Sequence, residues 1–166
     1  MKIIILVPIY NDRESLTKLI ENINKEAKDL NSEITISIIN DASSEQIIDN
    51  YQNTENIDSI EIINMKENRG HARCIASGLK YIYEKKEFDF IIPMDGDGED
   101  RPEEIKNFVQ TAEQLEDKSI IGQRIKRSES LFFKFCYLFH KFLTLAFTGQ
   151  SIRFGNFTCL SKITVE

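Results

Sequence analysis

The chain has 166 residues, 41% apolar and 29% charged, enough for one domain with its own core and too ordinary in composition for a disordered or fibrous protein. Its net charge of −6 hides a division: residues 1–117 carry 13 basic and 25 acidic side chains, a net of −12, and residues 118–166 carry 8 and 2, a net of +6. The acidic body excludes a general nucleic-acid binder, and the basic tail suits phosphate groups or an anionic membrane surface.

KIIILVP (2–8) is a continuous apolar run of buried-strand length, closed by Pro8 and the turn-forming pair Asn11-Asp12. Leu16, Leu19, Ile20, Ile23 and Ala27 then recur at helical spacing. EITISIIN (33–40) is a second strand, and a short helical piece is expected around 44–51. SIEIINM (59–65) is a third strand, and HARCIASGLKYIYEK (71–85) sets Ala72, Ile75, Ala76, Leu79 and Ile82 on one helical face. FDFIIPM (88–94) is a fourth strand. Pro102 suits the first turn of a helix continued by Ile105, Phe108, Val109 and Ala112. A short strand over 119–122, an apolar helix over about 130–147 and a last strand near 152–160 complete the pattern. Strands that are apolar throughout and alternate with helices indicate an α/β fold with a mostly parallel sheet and helices on both faces.

Cys74, Cys136 and Cys159 show no CxxC spacing and read as small core residues of a reducing compartment. The apolar run of MKIIILVPIYNDR is too short for a signal peptide, and no apolar stretch reaches spanning length, so a cytoplasmic protein is expected.

In parallel α/β sheets ligands bind beyond the carboxyl ends of the strands. Those ends read Pro8-Ile9-Tyr10-Asn11-Asp12, Asn40-Asp41-Ala42-Ser43, Asn68-Arg69-Gly70-His71 and Asp95-Gly96-Asp97-Gly98-Glu99. Each alone is equally a turn or a helix cap, Asp41 and Asn68 especially. Asp95-Gly96-Asp97 is less easily a cap, because a cap needs one carboxylate. Two carboxylates at i and i+2 with glycine between them can converge on one hard cation that keeps sites open for phosphate. Glu103 and Glu104, after Pro102, suit the first turn of a helix, and Asp100 suits a turn cap. There is no GxxxxGK[ST], no GxGxxG after the first strand and no GxSxG, which removes P-loop enzymes, dinucleotide folds and the hydrolase elbow. A metal-dependent handler of a diphosphate remains.

VPIYNDRESL (7–16), IINDAS (38–43), NRGHARCIASGL (68–79) and MDGDGEDRPEEI (94–105) resemble, in order and spacing, the motifs of glycosyltransferase family 2 enzymes, nearest in pattern to the polyprenyl-phosphate and dolichyl-phosphate mannose synthase-like branch. The resemblance implies a Rossmann-like GT-A nucleotide-sugar core over residues 1–127. Residues 128–166 would then begin an acceptor- and membrane-proximal part that in relatives continues past Glu166. It implies metal-dependent, inverting transfer of a sugar from a UDP-, GDP- or dTDP-linked donor to an acceptor such as a polyprenyl phosphate or a cell-envelope glycan. By position, Pro8, Tyr10 and Asp12 would line the base and ribose, with Asp12 standing where the family more often has Glu, and Asp41 would accept a hydrogen bond from the uracil or other base. Asp95 would face ribose and metal, Asp97 would ligate Mg²⁺ or Mn²⁺, and Glu99 stands where the branch often has a Gln ligand. Arg73 is a diphosphate contact or a helix-surface arginine. Arg124, with Arg127 second, would meet phosphates or acceptor after a strand, and Asn156 replaces an acidic residue of the family's Gly-Asp-Phe stretch.

Residues 131–147 are Phe- and Leu-rich with a thin polar stripe of Lys134, Tyr137, Lys141, Thr144 and Thr148. They read as a packed helix, a dimer seam, or an interfacial helix on the inner face of a membrane. Two other functions fit the broad pattern. A sugar-phosphate nucleotidyltransferase wants a Gly-rich loop that VPIYNDRE lacks, and a catalytically incomplete nucleotide-sugar-binding module would bind without transferring.

Overall fold

The continuous apolar run at the start of the chain forms β1 (Lys2–Ile9), and every residue from Ile3 to Ile9 is buried. A strand buried on both faces needs cover on both, and alternate side chains of β1 enter two separate cores. Ile3, Ile5, Val7 and Ile9 join the apolar face of α1 (Arg13–Ala27) and Ile105, Phe108, Val109 and Ala112 of α3 (Glu104–Gln114). Ile4 and Leu6 pack instead with Cys74 and Ile82 of α2 (His71–Lys85). The helices thus sit on the two faces of one sheet, as the apolar pattern predicts.

The computed structural model describes residues 1–47, 51–52, 54–97, 100–115, 118–122 and 157–166, with Phe139, Leu143 and Phe147. β2 (Glu33–Asn40), β3 (Ser59–Asn64), β4 (Phe90–Pro93), β5 (Ile120–Ile121) and β6 (Thr158–Ser161) complete a six-stranded sheet in the order β3-β2-β1-β4-β6-β5. β1 pairs parallel with β2 and β4, and β2 pairs parallel with β3; β6 runs antiparallel to β4. Helix α2 approaches the sheet through Gly78, where an added Cβ would lie 2.5 Å from Leu6 Cδ1 and 2.7 Å from Ile39 Cγ1.

Two expectations change. Residues 44–47 and 51–52 are not helical, because the Ser44 and Glu45 amides bond across the chain to Asn11 while Ile47 and Tyr51 pack against the core. Pro102 and Glu103 precede α3, with Glu103 at its N-cap and Glu104 in its first turn. The chain divides into two compact units, Met1–Ile120 with Phe157–Glu166, and Ile121–Asn156. Of the helix expected over 130–147 the described residues are Phe139, Leu143 and Phe147, all helical, and the expected strand over 152–160 is described from residue 157 on. No helix among the described residues is long and apolar enough to cross a membrane.

Candidate functional site

Four parallel strands in the order β3-β2-β1-β4 bring their carboxyl ends to one edge. The chain winds outward from β1 through β2 to β3 and then returns to the other side of β1 with β4, so the strand order reverses between β1 and β4, where such sheets open a ligand crevice. The turn after β4 lies there: a Cβ on Gly96 would be 3.7 Å from both the Pro8 carbonyl oxygen and Ile9 Cδ1. Asp95 is half-buried and Asp97 exposed. The Asp95 N–H donates to Asp100 Oδ2 at 2.9 Å, with Asp100 only 8% exposed. Asp100 therefore holds the turn that carries the two acidic residues, whereas the helix it was expected to cap, α3, has Glu103 at its N-cap with no side-chain cap bond.

The other three strand ends are bonded to one another. Asn11, at φ 51, accepts the Ser44 and Glu45 amides on Oδ1 at 2.8 and 3.3 Å, and its own N–H donates to Ser43 Oγ at 3.0 Å. Asn40 Oδ1 accepts the Ser43 N–H at 3.0 Å while Asn40 Nδ2 donates to Asn64 Oδ1 at 2.8 Å, which joins β2 to β3. Asp41 Oδ1 and Oδ2 accept the Arg69 and Gly70 amides, both at 2.8 Å. His71 then opens α2, with Nε2 at 3.3 Å from Asp95 Oδ1. A ring of polar contacts so runs from β1 through β2 and β3 to the acidic turn after β4.

Placed in this frame, Pro8 is buried at the end of β1 and Tyr10 is 53% exposed beside it. Asp12 is the N-cap of α1, its Oδ1 accepting the Ser15 N–H at 3.2 Å. Asp41 is 3% exposed, and Arg73 is exposed on the first turn of α2. Glu99, Arg124, Arg127 and Asn156 lie outside the described residues. Asn11, Asn40, Ser43 and His71, which the sequence offers only as members of the polar strand ends, carry the ring together with Asn64, which it does not offer. Their only signal is a polar residue at a strand end, since no spacing tells that Asn11 will bond 33 residues away.

The two described cysteines, Cys74 and Cys159, are buried. Cys74 Sγ donates to the Ile39 carbonyl at 3.3 Å, and burial, with the nearby Asp41 charge, pushes its pKa to about 11. Burial alone pushes Cys159 to about 12. Thiols this basic are protonated at neutral pH and poor nucleophiles. Oxygen donors such as Asp95 and Asp97 are the ligand type a hard divalent cation takes. Among the described residues no group of three or more His, Cys, Asp or Glu is placed around one metal position.

The sheet order and the two-sided helical cover are those of the GT-A type of α/β fold. Solved structures with this fold include mannosyl-3-phosphoglycerate synthase from Rubrobacter xylanophilus, at TM-score 0.68 and 11% identity, covering 98% of this chain and 53% of that one. A mannosyltransferase from Pyrobaculum calidifontis in complex with GDP-Man and Mn²⁺ aligns at TM-score 0.55 and 16% identity, over 74% of this chain and 35% of that one. The profile of Glycosyl transferase family 2 matches residues 4–161, and the chain belongs to that family. Undecaprenyl-phosphate 4-deoxy-4-formamido-L-arabinose transferase from Proteus mirabilis is 29% identical over 162 residues, covering 97% of this chain and 48% of that enzyme. The chain spans about half the length of the curated relatives it matches.

Proposed function

We propose that this chain forms the donor-binding part of a metal-dependent, inverting glycosyltransferase that moves a sugar from a nucleoside-diphosphate sugar to a lipid phosphate of the polyprenyl kind. The observation that carries the reading is the Asp95-Gly96-Asp97 turn packed against Pro8 at the switch point of a family 2 sheet. In this reading Tyr10 offers an exposed aromatic face to the base beside Pro8, Asp12 borders the ribose from the start of α1, and Asp41 supports the base site. Arg73, exposed on the first turn of α2, is suited to the diphosphate. Asp95 and Asp97, with Glu99, would hold Mg²⁺ or Mn²⁺, which supplies Lewis-acid neutralisation of the leaving diphosphate.

The acceptor follows from a relative whose name specifies undecaprenyl phosphate. A lipid phosphate oxygen is already ionised near neutral pH, so a displacement by it needs orientation and no strong general base. Arg124 and Arg127 are the cations proposed to orient it. Association with the inner membrane face is supported by the net +6 of residues 118–166 and by Phe139, Leu143 and Phe147. These helical residues recur every fourth position, with Phe139 56% and Phe147 84% exposed. Vesicles containing anionic lipid should retain the chain, and equal partitioning of a 131–147 deletion would remove that part of the reading.

Calorimetry with UDP-, GDP- and dTDP-sugars, with and without Mn²⁺, tests the donor site. One base class should bind, and only with metal; the same affinity without metal, or binding of none, would refute the proposal.

A further inference from the structure

The chain segments that follow β1 and β2 are tied together by one residue. Asn11 Oδ1 accepts the Ser44 N–H at 2.8 Å, the Ser44 Oγ–H at 3.1 Å and the Glu45 N–H at 3.3 Å, and the Asn11 N–H donates to Ser43 Oγ at 3.0 Å. Asn11 sits at φ 51, a left-handed conformation that asparagine adopts more readily than most residues. In the facing segment Ala42 is also left-handed, at φ 57, an angle that persists in alanine only where surrounding bonds hold it. On one side of Asn11 the chain is fixed by Ile9, which is buried and whose carbonyl accepts the Asp41 N–H at 2.9 Å. On the other side it is fixed by Asp12, the N-cap of α1. Tyr10 lies between and is 53% exposed, so packing of its own ring restrains it little. The backbone that carries it is held through Asn11.

We infer that Asn11 is a positioning residue, which braces the turn after β1 against residues 43–45 and so holds Tyr10 and Asp12 in place for the nucleotide. The role asks only for contacts within the protein, and it is compatible with a base contact from Asp41, which stands at the root of the braced segment. Ordering a binding loop in advance removes part of the cost of binding. A loop that is competent in about one molecule in ten binds about tenfold more weakly. The consequence for nucleotide binding rests on the proposed donor site. The brace itself does not.

The first arm follows amide hydrogen exchange by NMR of the whole chain, at one fixed pH and without nucleotide or metal. Asn11→Gly leaves the left-handed backbone accessible and removes the acceptor. The Ser44 and Glu45 amides should then lose their protection, while the Arg69 and Gly70 amides, held by Asp41, keep theirs. Asn11→Asp retains an acceptor oxygen and should keep all four protected. Unchanged exchange at Ser44 and Glu45 in Asn11→Gly, equal loosening at Arg69 and Gly70, or the same loss in Asn11→Asp overturns the inference. Ser43→Ala, which takes the acceptor from the Asn11 N–H and should free that amide, carries the test if Asn11→Gly does not fold. The second arm is calorimetry with UDP and GDP in the presence of Mn²⁺. Asn11→Gly should weaken binding about tenfold. In a Tyr10→Ala background the same change should cost less, because the brace then has less to hold. Full affinity in folded Asn11→Gly, or fully additive losses in the double variant, overturns the positioning role. If neither nucleotide binds the unaltered chain, the donor-site reading fails and the exchange arm alone decides the brace.

Discussion

Asp41 and Asp97 are both carboxylates at the carboxyl ends of parallel strands, yet they sit in opposite surroundings. Asp41 ends a fully paired central strand, is buried, and has two backbone amides as partners. Asp97 follows β4 in a turn held by Asp100 through its neighbour Asp95, and is exposed. Burying a charge is unfavourable unless hydrogen bonds compensate it, and the Arg69 and Gly70 amides compensate Asp41. An exposed carboxylate beside a second one, with glycine between, is left where an external cation can reach it. The same residue type at equivalent strand ends is thus buried against backbone amides in one loop and exposed in the other.

The largest effect that would break this contrast is on binding. Asp97→Ala or Asp97→Asn should abolish Mn²⁺-dependent sugar-nucleotide binding, a loss of more than about a hundredfold in calorimetry, while leaving unfolding in urea within about 0.5 kcal/mol of the unaltered chain. A stable, fully binding Asp97→Ala would remove the ligand role. Next comes the frame beneath both loops. Gly78→Ala forces a methyl group against Leu6 and Ile39 and should destabilise by about 1–3 kcal/mol, measured by urea denaturation. Asp41→Asn should be destabilising by about 1–2 kcal/mol through its weakened bonds to the Arg69 and Gly70 amides, the reverse of Asp97→Asn.

The thiols sharpen the contrast further. Cys74 and Cys159 are raised from 9.0 to about 11 and about 12, so the folded chain holds these protons longer than the unfolded chain does. Their effect on stability is level below about pH 9 and turns unfavourable to folding as pH rises from 9 through 11, where the unfolded thiols ionise first. At pH 8 native Cys74 should react with iodoacetamide about a hundredfold more slowly than the unfolded thiol. Asp41→Asn should speed Cys74 without changing Cys159, since the Asp41 charge acts on Cys74 alone, and Asp97→Asn should change neither; peptide-level mass spectrometry reads all three. The smallest effect is at Ala42, held at φ 57. Ala42→Gly relieves a left-handed alanine and should be neutral or stabilising by up to about 1 kcal/mol in urea melts.

The elements were legible wherever one period ran undisturbed. β2 over 33–40 and α2 over 71–85 fall where the apolar residues place them, because burial on a strand or one helical face is written locally in side-chain type. The piece around 44–51 was misread because its amides bond to Asn11, a partner 33 residues away that no local pattern contains. That Asp100 would bond back to Asp95 was not legible from its place before Pro102, nor was His71 beside Asp95: the two lie 24 positions apart and meet because α2 crosses β2 and β1 on its way from β3 to β4.

The sequence by itself determined the α/β class, the two-sided burial of β1 and the set of polar strand ends, because each follows from apolar period and strand length. It also carried the ordered motifs that mark family 2. Only the tertiary structure decided which strand ends share an edge and which carboxylates turn inward, since those depend on strand order and on hydrogen bonds between residues far apart in the chain. The spacing already set Asp95 and Asp97 apart from Asp41; the fold adds that Asp41 is buried against the Arg69 and Gly70 amides and that the other two lie at the switch point beside β1.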